Sequence, residues 1–154
     1  LDVEPIDAVF AYSTAMAEYV FRSRHAGGRL VGVLKLLDLI DVDSAKWREY
    51  AVGRRGPMAW VYAREARMLA SYEAEVARRF DRLFIVTDQE RHVFPDPALR
   101  TKIDVLPNGV DLHYFQPRPC PVEGPPRIAF TGVMNYWPNV DGVSWFIHEV
   151  WPHV

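Results

Sequence analysis

The sequence has little of several things. Cys120 is the only cysteine in 154 residues, so no intramolecular disulfide can form and no CxxC redox or metal motif exists. Charge of one sign is scarce: the formal net charge is −2, which excludes a strongly basic nucleic-acid binder and an acidic disordered tail. No long apolar run is present. The longest, residues 30–40, is interrupted by Lys35 and Asp38, so no membrane-spanning segment is expected. No secretory leader is expected either, because the chain opens Leu-Asp-Val-Glu-Pro, acidic and without an apolar core. Gly27-Gly28 does not extend into G-x-G-x-x-G, so a nicotinamide-binding turn is not supported. The five histidines are scattered, and His148 and His153 lack the i, i+4 spacing of a zinc pair.

What is present is a packed globular composition: 49% apolar, 25% charged and 13% aromatic. That suits one ordinary domain and describes a cytoplasmic protein. Along the chain, the apolar run at 6–12 precedes Ser13-Thr14, which can cap a helix reaching Tyr19 or Val20. Residues 30–40 read as a strand buried on both faces, and Asp43-Ser44 as the cap of a helix containing Trp47 and Tyr50. Val61, Met68, Leu69, Tyr72, Val76 and Phe80 recur at helical spacing, predicting one long amphipathic helix over 58–81. A strand at 82–86 leads to the capping box Thr87-x-x-Glu90 and a short helix. A strand at 103–106 runs into a tight turn at Pro107-Asn108-Gly109.

Residues 117–126 hold five prolines and read as a stiff linker. Beyond it, 127–131 reads as a strand and 139–150 as a helix, with Pro138 in its first turn. Strands alternating with helices imply an α/β fold, a Rossmann-like parallel sheet with helices on both faces. A single strand and helix after the linker cannot form a core alone. They would pack back on the first part, self-associate with a neighbouring chain, or expose Phe130, Trp145 and Phe146.

Several motifs invite chemistry. Asp41-Val-Asp43 has the DxD form with which metal-dependent transferases hold a cation and a nucleotide diphosphate. Its plain structural counterpart is Asp43 capping a helix. Glu65 and Glu73 match E-x7-E, but eight residues along a helix separate them by about 12 Å, and Glu65 fits a buried ion pair. The basic excess between Lys46 and Arg82 fits a charged outer helix face, or contact with anionic lipid heads. Asn108-Gly109 follows a strand, at the edge where open α/β sheets bind ligands. Gly132 ends a strand-like run before a helix, where backbone amides can approach a phosphate.

The strings IDVLPNGVDLHYF (103–115) and FTGVMNYWPNVDGVSWFIHEVWPHV (130–154) resemble the family 4 glycosyltransferases of GT-B fold. LLDLIDVDSAKWREYA (36–51) and the helix after it resemble a bacterial branch associated with exopolysaccharide assembly. The resemblance implies a sugar transferase that uses a nucleotide-sugar donor and a saccharide or lipid-linked acceptor, with no metal or other cofactor. It implies that 1–116 is the back half of an acceptor-side Rossmann-like domain, 117–126 an interdomain linker, and 127–154 the opening of the donor-binding domain. Gly132 would then lie beside the donor diphosphate, with Asn135 at the donor where many members carry part of a basic pair, and Asn108 and Gly109 would line the cleft. Asp41 stands where many members have a histidine, and is the candidate catalytic residue. The family's glycine-rich loop and its donor-side E-x7-E are not in this chain, so the fragment alone is expected to be inactive. Two other readings stand beside it: a metal-dependent transferase using Asp41 and Asp43, and a non-catalytic interaction module whose basic helix binds a partner or a membrane surface. The expected location is cytoplasmic, with peripheral contact at the inner membrane face.

Overall fold

The structure is a computed structural model that describes residues 5–23, 27–117, 124 and 127–154. It divides into two compact units, Leu1–Val110 and Asp111–Val154. Most of the proline-rich linker, including Cys120, lies outside the described residues.

In the first unit, β1 (Ala8–Tyr12), β2 (Leu34–Asp38), β3 (Arg82–Ile85) and β4 (Ile103–Val105) form one parallel sheet in the order β1-β2-β3-β4. The connections carry α1 (Ala17–Arg22), α2 (Asp43–Val52), α3 (Pro57–Arg79) and α4 (Asp88–Val93), with a 3-10 turn at Pro97–Lys102. The protein is thus α/β, a four-stranded parallel sheet flanked by helices.

Register explains where the core lies. Ala11 pairs with Leu37, Leu37 with Leu83, and Leu83 with Ile103, and all four are buried. Ala17 and Val20 of α1, Val76 and Ala77 of α3, and Phe80 and Phe94 join them in one cluster. Side chains alternate between the two faces along a strand, and this cluster occupies one of them. The other face carries Phe10, Tyr12 and Leu34, all exposed, with Phe10 and Phe84 rings 6.4 Å apart.

β2 is shorter than the apolar run at 30–40. Residues 27–32 form turns, with Gly32 at φ 74, and the strand extends only where β1 and β3 supply ladder partners. β2 is also not buried on both faces, since Leu34 is exposed while Leu37 is fully buried. α3 starts after Gly56, whose φ of 75 places it in the left-handed region that favours glycine. Its end is held by Lys102, whose Nζ donates to the carbonyls of Ala77 at 3.0 Å, Arg78 at 3.3 Å and Phe80 at 2.7 Å.

The second unit contains α5 (Trp137–Trp145), which continues through a π-helical stretch, Phe146–Val150, into a 3-10 turn, Trp151–His153. Pro138 sits in its first turn, as expected. The strand expected at 127–131 does not form: no other strand exists among the described residues of this unit, and an isolated strand has no partner for its backbone groups. Phe130 and Trp145 are exposed, whereas Phe146 is half-buried beside Trp151, 6.2 Å away. Among the described residues, no helix is long and apolar enough to cross a membrane.

Candidate functional site

The carboxyl ends of the four strands form one edge, and the backbone there is strained at two neighbouring places. Ser13, just after β1, has φ 75, and Ile40, just after β2, has φ 68. A β-branched residue at positive φ is an outlier. Ile40 is held there by a three-residue turn in which the Asp41 N–H donates to the Leu39 carbonyl at 2.9 Å, a rare and strained γ-turn geometry. The Ile40 N–H donates to Asp38 Oδ1 at 3.0 Å, and the Ser13 N–H to the Asp38 carbonyl at 2.8 Å. Strain of this kind persists only when surrounding bonds over-determine it, and it gathers at functional sites.

The turn presents Asp41. Lys46 Nζ lies 3.2 Å from Asp41 Oδ2 and 3.2 Å from Asp43 Oδ1. Burial opposes the Lys46 charge, but the hydrogen bonds and charges of Asp43 and Asp41 outweigh it and raise its pKa. The two carboxylates that a DxD reading aims at one cation are therefore both bonded to one ammonium. Among the described residues, no group of three or more histidine, cysteine or acidic side chains could hold a metal ion.

The helix after β3 supplies a further carboxyl, Glu90. Thr87 caps α4 through its hydroxyl, which accepts the Glu90 N–H at 3.2 Å. The Glu90 side chain turns back to the same hydroxyl, with Oε2 3.1 Å from Oγ1. Burial raises the Glu90 pKa against the opposing bond from Thr87, and the Asp41 carboxylate, as a charge and as a hydrogen-bond partner, raises it further. The capping box visible in the sequence thus also aims an acid at Asp41.

Behind Asp43 stands a residue whose role the sequence did not reveal. The helix cap expected from the Asp43 and Ser44 side chains is absent: α2 begins after Val42 with no side-chain cap. Glu73 of α3 does the capping instead, accepting the Ser44 N–H on Oε1 at 2.9 Å and the Ser44 hydroxyl on Oε2 at 2.5 Å. Glu73 is 1% exposed; burial raises its pKa, the bonds from Ser44 oppose that, and the Asp43 charge adds to it. Glu65, the other half of the E-x7-E match, makes a surface pair with Arg64 at 2.9 Å rather than the expected buried one. In the sequence Glu73 stood out only through the E-x7-E match, which says nothing of Ser44.

Asn108 and Gly109 follow β4 on the same edge and are exposed. The expected tight turn does not form, and space around Gly109 is open. Asn-Gly turns are closed by two antiparallel strands, and among the described residues none returns along β4. Gly132 and Asn135 belong to the second unit. A Cβ on Gly132 would lie 2.9 Å from Asn139 Nδ2, and that amide donates to the Val133 carbonyl at 3.0 Å. Glycine there makes room for a side-chain clamp that closes the loop onto α5. Asn135 lies exposed in a shallow hollow with Met134, Trp137 and Asp141.

No protein-family model, curated protein or solved structure matches this chain.

Proposed function

We propose that this chain is an interior part of a GT-B glycosyltransferase that moves a sugar from a nucleotide-sugar donor to a saccharide or lipid-linked acceptor in exopolysaccharide assembly. The observation that carries the reading is Asp41 on a strained turn at the carboxyl edge of a parallel sheet, bonded to Lys46 and faced by Glu90. That edge is where open α/β sheets take their ligands. The sequence resemblance in 36–51, 103–115 and 130–154 supports it independently.

In this reading Asp41 is the general base. It takes the proton of the acceptor hydroxyl as that oxygen attacks the anomeric carbon, while the bond to the donor diphosphate breaks and the nucleoside diphosphate leaves. Lys46 holds the Asp41 carboxylate in place, 3.2 Å from its Oδ2. By the sequence resemblance, backbone amides at Gly132 and Asn135 stabilise the leaving diphosphate, and Asn108 and Gly109 belong to the edge of the acceptor-side domain.

The decisive experiment uses the intact parent enzyme. Asp41→Asn should lower kcat by about 100-fold or more with nucleotide binding unchanged; an unaltered kcat overturns the assignment. The 154-residue chain alone should turn over none of a panel of nucleotide sugars, and turnover by it would sink the fragment reading. Flanking coding sequence should carry a glycine-rich loop upstream and an E-x7-E downstream. A saturable Mn²⁺ site that disappears in Asp43→Ala would replace this reading with the metal-dependent one.

A further inference from the structure

The N-terminal half of α3 and the loop before it form a surface that the sheet edge does not use. Val52 is 85% exposed and Trp60 64% exposed, and Met58, Val61 and Met68 also face solvent. Trp60, Arg64 and Met68 fall at i, i+4 and i+8, so they share one stripe of the helix, with Arg67 beside it. Arg54 and Arg55 lie in the exposed loop at its end. No carboxylate among the described residues lies within ion-pair distance of Arg54, Arg55 or Arg67.

Charge sorts sharply here. Residues 48–67 contain five arginines and two glutamates, and one of those glutamates is paired with Arg64. The chain as a whole carries −2, so this hairpin is a cationic end on an otherwise acidic molecule. The hairpin is also stiff. Trp47 packs edge-on against Tyr62 at 5.3 Å and against Tyr50 at 6.1 Å. Beside the stripe runs a groove of about 610 Å³, lined by Ala59, Ala63, Ala66 and Ala70 with Arg48 and Arg67.

We infer that the α2–α3 hairpin docks on a bilayer surface bearing anionic headgroups. Arginines complement the phosphates, and Trp60 and Met58 enter the boundary between headgroup and acyl chain. Binding to such an interface scales with the apolar area buried and with electrostatic attraction to anionic lipids; Trp60 and Met58 supply the first and the flanking arginines the second. Arginine stems add apolar contact while their charged ends stay with the headgroups. The surface is separate from Asp41 and Glu90, and its docking does not depend on the transferase reading.

The test is sedimentation of the 154-residue chain with vesicles, without any sugar donor. The chain should pellet with phosphatidylcholine vesicles containing about one third phosphatidylglycerol, stay in solution with phosphatidylcholine alone, and be released by salt. Arg54→Glu with Arg55→Glu should weaken binding by about tenfold or more. Met58→Ser with Trp60→Ser should abolish it at low salt. These loop and surface variants are compared at matched circular dichroism, and Arg55→Glu alone, in the open loop, serves if a double variant melts early. Failure to pellet with anionic vesicles, equal pelleting with neutral ones, or pelleting unchanged by the arginine reversals overturns the inference. A concentration-dependent dimer in sedimentation velocity that is lost in Trp60→Ser also overturns it, giving the face to a second copy.

Discussion

The two halves of α3 continue one helix and one hydrophobic periodicity, yet they meet different surroundings. In the second half, Glu73, Ala74, Val76 and Ala77 are buried, and Phe80 just beyond the helix is fully enclosed. In the first half, Met58, Trp60 and Val61 stand exposed, and Ala66 is the first buried residue. The two glutamates repeat the contrast: Glu73 is a buried clamp on the start of α2, and Glu65 a surface partner of Arg64. Spacing says which residues share a face of a helix. It does not say what lies against that face, and here the sheet core covers only the C-terminal part.

The largest test of this contrast is Phe80→Ala, expected to cost about 3–5 kcal/mol in a urea melt, because a fully packed ring leaves a cavity that the sheet cannot close. Glu73→Ala should come next, at about 1–3 kcal/mol. It removes the acceptor for both the Ser44 N–H and the Ser44 hydroxyl in a buried place. If Glu73→Ala were as mild as Glu65→Ala, the clamp would be incidental.

A pH series sharpens the same point. The Glu73 pKa is raised above its ordinary 4.5 by burial. Below the unfolded value both states are protonated, so the native state pays no penalty. As pH climbs from there through the raised native value, the folded chain binds the extra proton and loses stability, and above that value the loss is constant. Glu90 contributes in the same direction. Glu73→Gln should flatten the decline measured by thermal melts as pH rises above the ordinary carboxylate range, and a slope equal to the wild type's would assign it elsewhere. The smallest effect is reserved for the first half: Trp60→Ser should shift stability by no more than about 0.5 kcal/mol. A larger loss would mean that Trp60 is packed.

Much of the fold was legible in the chain because its periodic signals are local. α3, α4 with its Thr87 cap, β3 and β4 all fall close to where apolar spacing and turn chemistry put them. The strand expected at 127–131 failed for a physical reason: a strand is completed by a neighbour, and propensity cannot supply one. The turn at Asn108-Gly109 failed similarly, for want of a returning strand. At the candidate site, Asp41 was visible from its place after an apolar run. The clamp behind it was not, since Glu73 reaches Ser44 from a residue 29 positions away.

By itself, then, the sequence determined the class of the protein: an α/β chain of parallel strands and intervening helices, without disulfides or an apolar span. Those properties follow from composition and short-range periodicity. Only the tertiary structure decided which face of each element is covered, why Ile40 holds a left-handed backbone, and which carboxyls meet at the sheet edge. Those depend on strand register and crossover direction, which bring together residues that no local spacing connects.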